Sequence, residues 1–179
     1  MSTDHYLVVS ALGPDRPGLV SEVTAYVTER GGNIEDSRMA VLGAEFGIML
    51  LVSGTPDEIG RVAGGLLELQ GATGLSFTSR PTRSPEEHRR GEATPAVVVA
   101  EALNHEGIVR AVSSALHRAG LNIVSLETTA YNAPVTGSPL FRLEARVDVP
   151  RGVTIRRVRE AMSLVAEHED IDIEVRSPR

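Results

Sequence analysis

The sequence predicts an α+β protein made of two tandem copies of one βαββαβ module. The first observation is an internal repeat: one register holds along the chain when its 179 residues are shifted by about ninety positions. That register pairs Asp15 with Asn104, Gly18 with Gly107, Val23 with Val112, Gly31 with Gly120, and Asn33-Ile34 with Asn122-Ile123. The second observation is the order of apolar patterns, which runs strand, helix, strand, strand, helix, strand in each copy. Four antiparallel strands with two helices on one face make the ferredoxin-like fold.

The first copy opens with a strand, a loop and a helix. Residues 6–12 are apolar and rich in β-branched side chains, which predicts a strand buried on both faces. Residues 13–18 form the loop, in which Asp15 is a candidate N-cap and Pro17 suits the first helical turn. The following helix has its apolar residues on one face and ends at Gly31-Gly32, because glycine readily adopts the conformation of a helix C-terminus.

The rest of the first copy reads as a hairpin, a helix and a strand. Residues 33–41 and 46–53 are strand-like runs joined by a short turn that contains glycine. Thr55, followed by acidic residues, predicts the start of the second helix. The predicted apolar face of that helix consists of Ile59, Val62, Ala63, Leu66 and Leu67. Residues 73–78 are expected to close the module as its fourth strand.

A change of composition separates the two copies. Residues 80–95 are polar, charged and rich in proline without an apolar period, which predicts a linker between domains 1–79 and 96–179. The second copy then repeats the pattern, with a helix from 108 to Gly120 and strands at 122–131, 140–149 and 171–175. Its hairpin tip is longer, and alternation along 140–149 predicts one buried and one exposed face. Its last helix is lined by Ile155, Val158, Met162 and Val165.

Composition excludes several kinds of chemistry. The chain contains no cysteine, and all 18 basic residues are arginine, so disulfides, thiolate sites and lysine nucleophiles are absent. The net charge of −6 and the lack of a basic stripe argue against direct binding of nucleic acid. No apolar run reaches a membrane span, and no signal peptide is recognisable, so we expect a cytoplasmic protein without membrane contact. The five histidines are scattered, and no nucleophile lies beside a base, so we expect neither an enzyme nor a cofactor.

The loop before the first helix of each copy is the candidate binding site. Backbone N–H groups at a helix N-terminus favour an anion such as a carboxylate, and Gly18 or Gly107 would let a ligand approach closely. Asp15 could accept an ammonium group, whereas Asn104 could do so without a charge. Asn33 and Asn122 offer further donors and acceptors. Two plainer interpretations stay open: Asp15 could serve only as a helix cap, and Asn33 could serve only a turn.

These residues carry a resemblance to a known family. Residues 15–20 (DRPGLV), followed by Gly32-Asn33-Ile34, resemble the ACT domain, a small-molecule-sensing module of ferredoxin-like fold. Residues 33–46, and in the second half residues 122–128 and 133–141, are similar to the glycine cleavage system transcriptional repressor family. This resemblance implies a regulator that responds to glycine and acts through a transcription-factor partner, with no DNA-binding element of its own.

The resemblance also implies where a ligand would bind, namely at module interfaces near the first loop and the start of the second strand. The positions implied are Asp15, Arg16, Pro17, Gly18, Leu19, Asn33 and Ile34 in the first copy, and Asn104, His105, Gly107, Ile108, Asn122 and Ile123 in the second. The second copy departs from the motif, with His105-Glu106 in place of Arg16-Pro17, which weakens the expectation of binding there.

A bare sheet edge or face in each module further predicts self-association, most simply as a two-fold homodimer. The alternatives to an amino-acid-responsive regulator are a ligand-free protein-interaction module and, less favoured, an enzyme of unrecognised type.

Overall fold

The chain folds into two compact units, which divide between His88 and Arg89. The computed structural model describes residues 5–88 and 93–177. Each unit has its own four-stranded antiparallel sheet, with helices packed on one face and an apolar core between the two layers. The tandem βαββαβ architecture expected from the internal repeat is therefore confirmed.

In the first unit the sheet has the strand order β2-β3-β1-β4, so β2 and β4 are its edges. Its elements are β1 (His5–Pro14), α1 (Leu19–Glu29), β2 (Asn33–Leu42), β3 (Glu45–Gly54), α2 (Pro56–Gly64), α3 (Leu66–Thr73) and β4 (Ser76–Thr82), followed by a short helix α4 (Pro85–His88). Alternate residues of β1, such as Leu7 and Val9, are buried beneath the helices, while Leu12 on the other face is exposed. The expectation that β1 is buried on both faces is therefore wrong.

The helix α1 ends just before Gly31-Gly32, as predicted. Gly31 has φ 85°, and the N–H of Gly32 donates to the carbonyl of Val27 at 3.0 Å, which closes the helix. A Cβ on Gly32 would lie 2.9 Å from methyl groups of both Val27 and Val52. The second glycine is therefore required because the core leaves no room for a side chain.

The second helix of the first unit is interrupted, which the sequence did not predict. Thr55 caps α2 through a capping box with Glu58, as its sequence indicates, but the helix stops at Gly64 and restarts as α3. The hydroxyl of Tyr26 donates to the Val62 carbonyl at 2.7 Å, and a Cβ on Gly65 would lie 2.6 Å from that hydroxyl. The Tyr26 ring thus occupies the space at the break.

This break also corrects the predicted apolar face and the last strand. Leu67 is 78% exposed, whereas Leu66 and Leu69 are buried. Thr73 belongs to α3, and β4 runs from Ser76 to Thr82, beyond the residues expected to form it. The strand β4 lies at the sheet edge, where polar residues and a proline are tolerated, and it extends into the segment predicted as a linker.

The second unit repeats the topology, with strand order β6-β7-β5-β8. Its elements are β5 (Ala93–Leu103), α5 (Ile108–Arg118), β6 (Asn122–Asn132), β7 (Pro139–Pro150), α6 (Ile155–Glu169) and β8 (Asp172–Arg176). The helix α6 is continuous, and Val158, Met162 and Val165 are buried on the face predicted for them. The expected alternation along β7 is confirmed, since Leu143 and Ala145 are fully buried. The first residues of β5 also fall within the segment predicted as a linker.

Within residues 5–88 and 93–177, no helix combines the length and hydrophobicity needed to cross a membrane.

Candidate functional site

The loop between β1 and α1 ends in a glycine rather than in a capping side chain. The helix begins at Leu19, and its N-cap is Gly18, with φ 93° and ψ −14° and no side-chain hydrogen bond to the helix N-terminus. Asp15 is therefore not the N-cap, and Pro17 precedes the helix instead of lying in its first turn. Both expectations are corrected because the chain needs a left-handed residue to enter the helix, and only glycine adopts that conformation readily.

The backbone conformation also explains why residue 18 is a glycine. At φ 93° any side chain would strain the main chain, even though a Cβ would meet only Glu22 Oε1 at 3.3 Å and Arg16 Nη1 at 4.0 Å. A larger residue at Gly18 would therefore disturb the fold as well as the approach of a ligand. Glycine at this position is explained by the turn, whether or not a ligand approaches.

A bidentate ion pair closes the loop onto the helix. Arg16 Nη1 and Nη2 donate to Glu22 Oε1 at 2.6 Å and Oε2 at 2.7 Å, and both side chains are 40% exposed. These hydrogen bonds lower the pKa of the Glu22 carboxyl and raise the pKa of Arg16. Sequence reasoning missed Glu22, although an acid in the first turn of a helix, soon after a loop arginine, is a signal for such a pair.

The helix N-terminus leaves backbone donors for a ligand. The first N–H groups of an α-helix have no partner within the helix, and no side chain caps α1. The Leu19 side chain is buried in the core, so its residue can offer only its backbone N–H group. Asp15 lies exposed in the same loop, and its own N–H donates to the Ala44 carbonyl at 2.9 Å, which fixes the loop to the β2–β3 turn. The loop thus combines anion-binding donors with a nearby carboxylate.

The second unit keeps this backbone but changes its charges. Gly107 is again the N-cap, with φ 96°, and the Asn104 N–H donates to the Pro139 carbonyl at 2.9 Å. His105 stands at the position of Arg16, and its Nδ1 lies 2.9 Å from the carbonyl oxygen of Glu106. Ala111 stands at the position of Glu22, so the closing ion pair is missing, and Ile108 is buried as Leu19 is.

Asn33 lies far from the β1–α1 loop of its own module. In the sheet, Asn33 pairs with Ser53 and Ser53 pairs with Tyr6, so Asn33 lies beside the start of β1. Asp15 follows the end of β1, roughly 30 Å away along the strand at about 3.3 Å per residue. The amide of Asn33 therefore cannot bind the same small molecule as Gly18 of its own module. Asn33 therefore does not add donors or acceptors to the loop of its own copy, contrary to the expectation.

Asn33 belongs instead to a small polar network. Its Nδ2 donates to Glu35 Oε1 at 2.8 Å, and the hydroxyl of the buried Ser53 donates to the same oxygen at 2.5 Å. A register shift between Ile34 and Asp36 marks a bulge at this point. Sequence reasoning did not assign a role to Glu35 or Ser53, since their contact joins two strands and depends on the register of the sheet.

The other predicted positions at the start of the second strands have plainer surroundings. Ile34 and Ile123 are partly buried and pack against the cores of their units. Asn122 is exposed and pairs with Asp148 in the sheet. The described residues contain no cluster of three or more histidine, aspartate or glutamate side chains able to hold a metal ion.

Comparison with known proteins assigns the first loop to a family. The ACT domain family model matches residues 5–78, which contain the first loop and all of the first sheet except its last strand residues. The glycine cleavage system transcriptional repressor of Escherichia coli (strain K12) is 52% identical over 59 residues, which make up 33% of this chain. The repressor of Shigella flexneri matches equally well. The matched segment spans 31% of the length of each of these curated relatives.

Two crystal structures match nearly the whole chain. An unknown protein from Galdieria sulphuraria is 30% identical with a TM-score of 0.78, and the match covers 98% of this chain and 99% of that one. A protein provisionally named a glycine cleavage system transcriptional repressor is 27% identical with a TM-score of 0.70, and the match covers 97% of both chains. The chain therefore contains an ACT domain at residues 5–78, followed by a second unit of the same topology, and it is similar to the glycine cleavage system transcriptional repressors.

Proposed function

We propose that this protein senses a free amino acid, glycine in particular, and acts through a partner protein in the transcriptional control of glycine cleavage. The observation that carries the proposal is the uncapped N-terminus of α1 beside the exposed carboxylate of Asp15. Both features lie within residues 5–78, the segment that matches the ACT domain. The ACT match favours regulation over catalysis, and the repressor relatives suggest the pathway.

The chemistry of the loop suits a small zwitterion. A ligand carboxylate would accept hydrogen bonds from the N–H groups of Gly18 and Leu19, where the helix dipole also favours negative charge. The ligand ammonium would bind the Asp15 carboxylate. Because Arg16 is held by both oxygens of Glu22, its guanidinium does not compete with the ammonium for Asp15.

A second copy of the chain would complete the site. Asn33 lies too far from its own loop, and we infer that a two-fold dimer brings Asn33 of one copy to the loop of the other. The Asn33 Nδ2 is engaged with Glu35, which leaves its Oδ1 to accept from the ligand ammonium. The edge strand β2 offers a surface for this association, since Met39, Val41 and Leu42 are exposed on it.

Calorimetric titration of the full chain tests the proposal. We expect glycine to bind with one site per chain, because only the first loop has an acid at the position of Asp15 and an Arg16–Glu22 ion pair, whereas the second loop has Asn104 and Ala111 at the positions of Asp15 and Glu22. Glycinamide, which lacks the carboxylate, and N-acetylglycine, which lacks the ammonium, should each bind at least roughly tenfold more weakly. Absence of heat with glycine, serine and alanine, or equal binding of glycinamide, would contradict the assignment.

The second candidate is a ligand-free interaction module, favoured by the same exposed apolar residues of β2. In that case sedimentation would show self-association that depends on protein concentration, while amino acids would release no heat. The two measurements together separate the candidates.

A further inference from the structure

The second unit has a groove between its two helices. The space between α5 and α6 has a volume of about 670 Å³. Small side chains line it, among them Ala111, Ala115 and Ala161, together with Leu164, which is 69% exposed. An exposed leucine beside a groove of this size is an apolar surface that the unit does not cover with its own side chains.

The first unit shows what fills the equivalent space. In the register that pairs Asp15 with Asn104, Tyr26 stands at the position of Ala115 and Arg30 at that of Ala119. The Tyr26 ring is 5% exposed and packs between α1 and the α2–α3 break, and the Arg30 guanidinium lies 3.7 Å from the ring centroid. The first module therefore fills the space between its helices with the ring of Tyr26, whereas the second has Ala115 at that position.

The rim of the groove is positively charged. Arg110, Arg118 and Arg157 all line it, and within residues 5–88 and 93–177 none of their guanidinium groups forms an ion pair or a hydrogen bond. Elsewhere in the chain Arg16 and Arg142 bind carboxylates directly. Glu169 is the one acid that lines the groove, 3.9 Å from His168. Three cations without an ion pair around one groove give it a charge that is complementary to an anionic occupant.

We propose that this groove docks an acidic α-helix of a partner protein, which inserts an aromatic side chain between α5 and α6. The inference rests on the proposed function in one respect, that the protein acts through a partner. The helix α6 has 15 residues, or roughly 22 Å at 1.5 Å per residue, so the groove can run beside three to four turns of a bound helix. The aromatic ring would take the place that Tyr26 takes in the first unit, and flanking acids would pair with the arginines.

Fluorescence anisotropy with a designed peptide tests the docking site. The probe is a labelled helical peptide of about 16 residues, or roughly 24 Å, with one central Phe flanked by Glu one turn away on each side. We expect it to bind the full chain and to lose at least roughly tenfold in affinity when Phe is replaced by Ala or Glu by Lys. Failure of this probe to bind, or equal binding of the three peptides, would overturn the proposal.

Variants of the protein test whether the peptide binds in the groove between α5 and α6. Ala161→Phe should fill the groove, and Arg110→Glu combined with Arg157→Glu should reverse its charge; each should weaken peptide binding at least roughly tenfold. Arg159→Glu makes one such charge reversal on α6 outside the groove and should leave the affinity unchanged. The charge variant replaces exposed side chains, so it keeps the test decisive if Ala161→Phe fails to fold. Equal loss with Arg159→Glu would refute the groove as the site.

The same preparations separate this inference from the proposed function. Glycine titration reports on the first unit and should be unchanged in the groove variants. Peptide binding without a glycine response would remove the amino-acid proposal and leave the docking site. A glycine response without peptide binding would remove the docking site alone.

Discussion

Replacing Asp15 by asparagine separates a ligand-binding role from a structural one. Asp15→Asn keeps the shape of the side chain and removes its charge. In the proposed site the carboxylate binds the ammonium of the ligand, and a hydrogen bond to a charged group contributes about 1.5–3 kcal/mol. That range corresponds to roughly ten- to hundredfold in Kd. Because Asp15 is exposed, solvent screening places the expected loss near roughly tenfold.

The stability of the same variant should not change. The N-cap of α1 is Gly18, and no side chain hydrogen-bonds to the N-terminus of α1. We therefore expect the free energy of unfolding to stay within about 0.5 kcal/mol of the wild type. A capping aspartate would instead cost about 1 kcal/mol when replaced. Urea denaturation, measured beside glycine calorimetry on one preparation, gives both quantities.

Asn104→Asp is the matched control for this experiment. It changes the charge at the equivalent position of the second loop, where Ala111 replaces the glutamate of the ion pair. We expect it to leave the glycine affinity of the first module unchanged. If Asp15→Asn lowered stability by about 1 kcal/mol and left the affinity intact, the ligand-binding role of Asp15 would be refuted.

Three further predictions concern the first unit and can be checked by urea denaturation. Gly32→Ala should lower the free energy of unfolding by about 1–3 kcal/mol, because three valine methyl groups leave no room for a Cβ. Gly60→Ala should raise it by up to about 1 kcal/mol, because a Cβ at that helix position would have nothing within 4 Å. Equal effects of the two changes would contradict the packing argument. Gly18→Ala should cost about 1–2 kcal/mol without any ligand, and no loss would contradict the left-handed backbone. Because Arg16 lowers the pKa of Glu22 below its ordinary 4.5, the ion pair stabilises the fold above that pH and loses its effect as the pH falls through the lowered value. Glu22→Gln should therefore be less stable than the wild type near neutral pH and match it in acid, and a difference that persists in acid would count against this linkage.

The topology could be predicted because the same sequence pattern occurs twice in the chain. The two copies share apolar periods and glycines at the same positions, so each supports the assignment of the other. The helix-ending Gly31 and the cap Thr55 act through residues close in sequence, and both appear in the structure as expected. Local signals of this kind depend only on the neighbouring backbone.

The features that the sequence did not predict depend on distant contacts. The break between α2 and α3 at Gly65 is explained by Tyr26, a residue of α1 whose ring packs at that point. The strand β4 is polar and contains Pro81, and it forms because the edge of β1 is available for pairing. The resemblance implied Asn33 as a site residue, but its distance from the loop follows from the parallel course of β1 and β2 in the sheet. Neighbours in sequence do not report such distances.

Backbone amide NMR during a glycine titration tests the central claim most directly, since it identifies the loop that binds. The account predicts that glycine shifts the amide resonances of Gly18 and Leu19 and leaves those of Gly107 and Ile108 in place. Shifts of equal size in both loops, or shifts that avoid the first loop, would contradict it.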